Sequence, residues 1–276
     1  MELDFLHAFH LEDIQNPEHP SDFIPMEDHS ILILRFPEIV SNRIEVVSYA
    51  FIVRQEHCYI FDRKKEQFEE LGSLLNLNSF LDQKTNDLIK YIKGYYYEID
   101  RLEDSLYDNQ LDEAFMSKWL TFKKELSLIH RLIFDVVLSF ELFITHHKRH
   151  ASFEELAYAD LHEHIERIRN LAKASLDKLD HLYDFYRAKV DEKMNRNVYY
   201  LTLLSGIFLP LTLISGFFGM NTGGLPYVND PIGTWKVVGI ALVLELIIFV
   251  PFFLKNRSKP KRYVHHQSEQ FTKNLP

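Results

Sequence analysis

One cysteine, Cys58, among 276 residues excludes an intrachain disulfide and any zinc site built from several thiolates. The first 30 residues hold eight acidic groups and no Lys or Arg, the first basic residue being Arg35. Their start, MELDFLHAFHLEDIQ, lacks both a basic region and a long apolar run, so no secretory signal is expected and the N-terminus is placed in the cytoplasm. There is no P-loop, nucleophile elbow, His-Glu-x-x-His or Cys-x-x-Cys pattern, and His162-Glu163-His164 sets its two histidines at i, i+2, which diverge on a helix. Neither an enzyme nor a bound nucleotide is expected. With 31 Lys+Arg against 40 Asp+Glu, the net charge of −9 speaks against nucleic acid as a partner, which would call for a clustered excess of cations.

What is present is unevenly distributed. Met1 to Asn195 carries 37 acidic against 23 basic residues, a net of −14, whereas Arg196 to Pro276 carries 3 against 8, a net of +5. Between Asn197 and Asn229 no residue is charged. Within that stretch Val198–Phe218 (VYYLTLLSGIFLPLTLISGFF) would span about 32 Å as a helix, enough for a hydrocarbon core of about 30 Å. Trp235–Leu254 is read as a second span, with Lys236 able to snorkel to the interface and Glu245 a costly residue near its middle. The intervening 219–234 has no Lys or Arg, while Arg187, Lys189, Lys193 and Arg196 precede the first span and Lys255, Arg257, Lys259, Lys261 and Arg262 follow the second. The positive-inside rule puts both termini in the cytoplasm and the short loop outside, with Tyr199, Tyr200 and Trp235 as interfacial anchors. The expectation is a multi-pass protein of the cytoplasmic membrane, with the lipid bilayer as a partner.

The remainder divides by pattern. Ile31–Phe36, Glu45–Val53 and Cys58–Phe61 have strand character, giving a cytosolic α/β sheet region over 1–72. Helical spacing runs from Leu75 to about Tyr107, Asp108 to Asp112 (DNQLD) reads as a turn, and Asp112 to His147 as a return helix, so that 73–151 forms a long helical hairpin. Ser152 and Glu155 have capping-box spacing, and from there a stalk helix over 152–197 continues into the first span, 198–218. An outside loop (219–234), the second span (235–254) and a basic cytosolic tail (255–276) complete the division. The stalk's apolar stripe, among others Leu161, Ile165, Ile168, Leu179 and Tyr183, suggests a coiled stalk that packs against copies of itself.

Inside the first span Thr202, Ser205, Leu209, Thr212 and Gly216 are spaced 3, 4, 3 and 4 apart and share one face. Two readings are open: close helix packing at small residues, or a narrow pore lining in which Leu209 forms a dewetting constriction. Pro210 lies off this face and bends the helix. Asp177, Asp180, Asp184 and Asp191 share a stalk face, either as a solvated flank or as ligands of a regulatory metal ion. His146, His147 and His150 crowd a helix end, which the helix dipole favours, although His146 and His150 also have metal-pair spacing. Glu245 is either an interhelical hydrogen-bonding group or a proton-coupling carboxyl.

Gly206–Asn221 (GIFLPLTLISGFFGMN), ending in Gly219-Met220-Asn221, resembles the signature region of the CorA-type divalent metal transporters, and the order of soluble region, stalk, two spans and basic tail is similar as well. The resemblance implies an α+β cytosolic domain with a long helical hairpin and stalk helix, a two-helix transmembrane hairpin and a homopentameric channel. It implies a selectivity filter at Gly219, Met220 and Asn221, with Asn221 as the ring at the outer mouth. It also implies a pore face of Val198, Leu201, Ser205, Leu209 and Thr212, which shares Ser205, Leu209 and Thr212 with the spacing argument and has Leu201 where that argument has Thr202. Divalent metal ions are then substrate and regulator, with no catalytic cofactor. Thr222-Gly223-Gly224-Leu225-Pro226 is more similar to the zinc-transporting ZntB branch than to the Mg²⁺ members, and Asp230 is the only acidic residue of the loop. The expected cargo is Mg²⁺ and/or Zn²⁺, with Co²⁺ and Ni²⁺ considered. A membrane-anchored stalk scaffold or metal sensor without a pore is the rival expectation.

Overall fold

The computed structural model describes residues 6–41, 43–107, 114–150, 153–220, 223–227 and 229–257. The turn at 108–112, the cap at Ser152, Asn221 and the tail beyond 257 lie outside the described residues. The chain forms two compact units, Met1–Lys189 and Val190–Pro276.

The first unit contains an antiparallel sheet in sequential order, β1 (Asp22–Pro25), β2 (Ser30–Val40), β3 (Arg43–Arg54), β4 (His57–Asp62) and β5 (Gln67–Ser73). Register is set by alternation, since a one-residue slip would turn every apolar side chain to the wrong face. Leu32 pairs with Phe51 and Ile31 with Ile52. Leu32, Leu34, Phe36, Phe51, Val53 and Cys58 enter the main core with the long helices, whereas Ile31, Ile33, Ala50, Ile52, Phe61 and Phe68 pack on Ile14 of helix α1 (Ala8–Gln15). The three apolar runs in the sequence correspond to β2, β3 and β4. β1, β5 and α1 gave no such signal. β1 is four residues long and ends in Pro25, and β5 exposes Glu69 and Glu70.

Burial makes Cys58 inert by pushing its thiol up to about 12. Iodoacetamide at about pH 8 is expected to leave Cys58 unmodified in the folded protein and to alkylate it after denaturation, which mass spectrometry can check.

Helix α2 (Leu74–Tyr107) starts at a defined cap: the Ser73 N–H and hydroxyl donate to Asn76 Oδ1 at 3.1 and 2.7 Å. Gly72 precedes it at φ +110°, where a Cβ would also come within 2.9 Å of Asn76 Oδ1. Helix α3 is Phe115–His147 and α4 is the 64-residue Glu155–Phe218. One part of the stalk reading, that its apolar stripe packs against other copies, is corrected here. Tyr158, Leu161, Ile165, Ile168, Ala172, Leu179 and Leu182 of α4 are buried in the same core as α2 and α3. Polar links follow the same contact, with Asn78 Nδ2 donating to Ala157 O (3.0 Å), Trp119 Nε1 to Leu179 O (2.8 Å), and Lys178 pairing with Asp100 and with Glu103 (2.7 Å). The apolar stripe through Leu182 is therefore satisfied within one chain rather than by another copy.

His147 ends α3 as a core residue. Its Nε2 lies 2.9 Å from Ser30 Oγ, and burial, followed by His146 and His150, lowers its pKa to about 4. The unfolded chain takes up this proton near 6.5 and the folded chain only near 4, so stability falls as pH falls through that window, by up to about 3 kcal/mol. Melting temperatures at pH values bracketing the window are expected to show this loss, and His147→Gln to flatten it.

Candidate functional site

The second unit contains the end of α4 and helix α5 (Gly233–Arg257). Among the described residues α4 is the one helix long and apolar enough to cross a membrane. Its two faces differ. Leu203, Gly206, Ile207, Pro210, Leu211, Ile214 and Phe218 are half-buried, while Val198, Leu201, Thr202, Ser205, Leu209, Thr212 and Gly216 are all exposed. Leu201 and Thr202 thus share the exposed face. A Cβ placed on Gly216 would meet nothing within 4 Å, so this small residue is not required for helix packing inside the chain.

Two hydroxyls on the exposed face have a fixed polarity. Thr202 Oγ1 donates to Val198 O at 2.8 Å and Thr212 Oγ1 to Phe208 O at 2.6 Å. Their protons are used inside the helix, which leaves oxygen lone pairs facing outward as acceptors. Such a surface suits a hydrated cation, whose bound waters point their protons away from the metal. Ser205, Leu209, Thr212, Gly216 and Met220 line one groove together with Phe208, Leu213 and Phe217. Those three apolar neighbours sit one position from the predicted stripe, and nothing in a search for hydroxyls would have marked them.

Gly219 closes α4, its N–H donating to Ser215 O at 2.9 Å, and Met220 N–H reaches Phe217 O at 3.4 Å. Downstream, Asp230 Oδ1 accepts from Ile232 N–H at 3.0 Å, and the other carboxylate oxygen pairs with Lys236. Lys236, followed by that N–H, holds the Asp230 carboxyl below its usual range. The one acidic side chain of the loop is therefore neutralised locally.

Within one chain the four stalk aspartates are not assembled into a site. Asp180 pairs with Lys123 at 2.6 Å and Asp177 with Lys173 at 3.4 Å, while Asp184 and Asp191 are exposed. No cluster of three or more His, Cys, Asp or Glu side chains that could hold a metal occurs among the described residues. The rings of His146 and His150 are 6.4 Å apart. On α5, Gly233, Val237, Ala241 and Glu245 form the covered side, and Glu245 Oε1 is buried without a hydrogen-bond partner among the described residues.

Residues 2–257 match the family described as CorA-like Mg²⁺ transporter protein. The chain is 27% identical over 206 residues to the cobalt/magnesium transport protein CorA of Methanocaldococcus jannaschii, covering 72% of this chain and 63% of that protein. It is 26% identical over 186 residues to the zinc transport protein ZntB of Vibrio parahaemolyticus, covering 66% of this chain and 58% of that protein. The matched stretch thus spans less than two thirds of each relative. The fold is similar to the complete structure of the CorA magnesium transporter from Methanocaldococcus jannaschii, with a TM-score of 0.73 at 21% identity, covering 92% of this chain and 84% of that one. The match along nearly the whole chain places this protein in the CorA-like Mg²⁺ transporter family, a family of transporters rather than enzymes.

Proposed function

We propose that this protein carries divalent metal cations across the cytoplasmic membrane through the central pore of a homopentamer. Val198–Phe218 and Trp235–Leu254 are its two spans, and both termini are cytoplasmic. The observation that carries the reading is the exposed face of α4, where Thr202 and Thr212 present acceptor lone pairs along an uncharged helix. Five copies of that face, from Val198 to Gly216, enclose a path that Leu209 narrows. Asn221 supplies a ring of amide oxygens above Gly219 and Met220, gripping the ion through its waters without the deep trap that carboxylates would form. The membrane potential drives entry, at about 4.6 kcal/mol per divalent ion per 100 mV. No hydrolysis site is required.

For cargo, the relatives' names span cobalt, magnesium and zinc. The Thr222–Pro226 loop and the neutralised Asp230 favour Zn²⁺ or a broad divalent selectivity over strict Mg²⁺ selectivity. In the same reading, divalent ions on the inner side bind Asp184 and Asp191 between neighbouring stalks and restrain the pore, with Asp177 and Asp180 as their lysine-paired flank. Unchanged metal inhibition after all four are converted to Asn would refute that regulation. Liposomes containing the purified protein, loaded with indicator dye and offered Mg²⁺, Zn²⁺, Co²⁺ or Ni²⁺ with and without a proton gradient, test the function. Flux of at least one metal above protein-free vesicles is expected; flux of none would leave a membrane-anchored scaffold.

A further inference from the structure

The second unit contains a carbonyl deprived of its helical donor and a carboxyl oxygen without a partner, and each one's chemistry matches what the other lacks. Pro210 has no N–H, so the carbonyl of Gly206, four residues earlier in α4, loses its intrahelical donor. On α5, Glu245 Oε1 is buried with no hydrogen-bond partner among the described residues. Both residues lie on covered faces, Gly206 and Pro210 on that of α4 and Glu245 in the Gly233, Val237, Ala241 series of α5. Among its described residues the unit contains only these two helices and their connection, and the two-span reading sets the helices side by side as a hairpin.

Depth agrees as well. Gly206 lies 12 residues before the end of α4 at Phe218, and Glu245 lies 12 residues after the start of α5 at Gly233. At 1.5 Å per residue each is about 18 Å from the connecting loop. Gly206 has no side chain to keep a neighbour away from its carbonyl. No competing charge is present at this depth, because 197–229 holds no Asp, Glu, Lys or Arg, its ionisable groups being Tyr199 and Tyr200 at the start of the span and Tyr227 in the loop, while Lys236 of α5 is tied to Asp230. Within hydrocarbon a carboxyl group is less costly as the neutral acid than as the anion.

The geometry points to Glu245, as a neutral carboxylic acid, donating its hydroxyl proton to the Gly206 carbonyl oxygen freed by Pro210. This pins α5 to α4 at the turn that contains Pro210. The inference rests on the two-span reading for its hydrocarbon surroundings, but not on transport. Glu245 is thus a positioning residue that holds the two helices together at this turn, and Pro210 creates the acceptor it needs.

Thermal melting of the purified full chain in detergent micelles tests the pin through a double-mutant cycle. Glu245→Leu, which removes the donor, is expected to lower Tm by about 2–4 °C. Glu245→Gln keeps an N–H donor and is expected to melt with the native protein. In Pro210→Ala the restored N–H satisfies the Gly206 carbonyl from within α4, so adding Glu245→Leu is expected to cost nothing further. A Glu245→Gln loss equal to that of Glu245→Leu, or the same Glu245→Leu loss in both backgrounds, would overturn the inference. Infrared spectra provide a check that needs no Pro210 variant: a protonated-carboxyl carbonyl band present in the native protein and missing from Glu245→Gln is expected, and no difference between the two overturns it. Neither readout involves ion flux, so failure of transport in liposomes would count against the proposed function alone.

Discussion

Asn221→Ala is expected to reduce divalent flux in proteoliposomes at least about 100-fold while leaving the oligomer intact. In the proposed pentamer the size follows from five amides acting on one ion: at about 0.5–1.5 kcal/mol for each hydrogen bond to the ion's waters, losing the whole ring removes several kcal/mol of stabilisation at the entrance. Because the substitution is small and lies in the connecting loop, outside both predicted spans, cross-linking and size-exclusion profiles should match those of the native protein. Asn221→Asp should also slow flux, for the opposite reason, since five carboxylates would hold a divalent ion too tightly to release it. A scaffold without a pore would show no flux to lose and no difference among the three proteins.

The second large effect concerns the soluble unit. Tyr158 is fully buried where the start of α4 meets α2 and α3, with ring centroids 4.4 Å from Phe153, 5.8 Å from Phe143 and 5.9 Å from Phe140. Its hydroxyl donates to Leu74 O at 2.7 Å, and burial pushes the phenol well above its ordinary range. Tyr158→Ala removes the ring and leaves a cavity, at a cost of about 3–5 kcal/mol, which corresponds to a Tm lower by roughly 10 °C. Tyr158→Phe loses only the hydroxyl and should cost about 1 kcal/mol. Circular-dichroism melting of the full chain checks both, and equal melting of Tyr158→Ala and native protein would contradict this view of the core.

Periodicity revealed which faces of the chain are apolar but not what covers them. Leu161, Ile165, Ile168 and Leu179 were legible as a stripe because helical spacing is local, yet their partners on α2 and α3 are scores of residues away in sequence. The stripe was therefore open to a second copy until the fold showed it occupied. The strands β2 to β4 were legible from β-branched and aromatic runs, whereas the short β1 and the Glu-bearing β5 carry too little apolar patterning to stand out. His147 was read as a dipole-favoured helix end, since its contact with Ser30, 117 positions away, has no local signature. The face of α4 was legible because hydroxyls are out of place on an apolar helix. The direction in which those hydroxyls donate depends on side-chain rotamers, which no spacing rule supplies.

The scarcity of cysteine makes the most direct test of the pore possible. With Cys58 buried and its thiol pushed up to about 12, a thiol introduced on α4 is the only reactive one. Flux is measured through Thr212→Cys, on the exposed face, and through Leu211→Cys, on the covered face, before and after adding a small cationic thiol reagent outside the vesicles. The pore account predicts that the reagent stops flux through Thr212→Cys and spares Leu211→Cys; equal sensitivity of the two, or flux through modified Thr212→Cys at the unmodified rate, would contradict it.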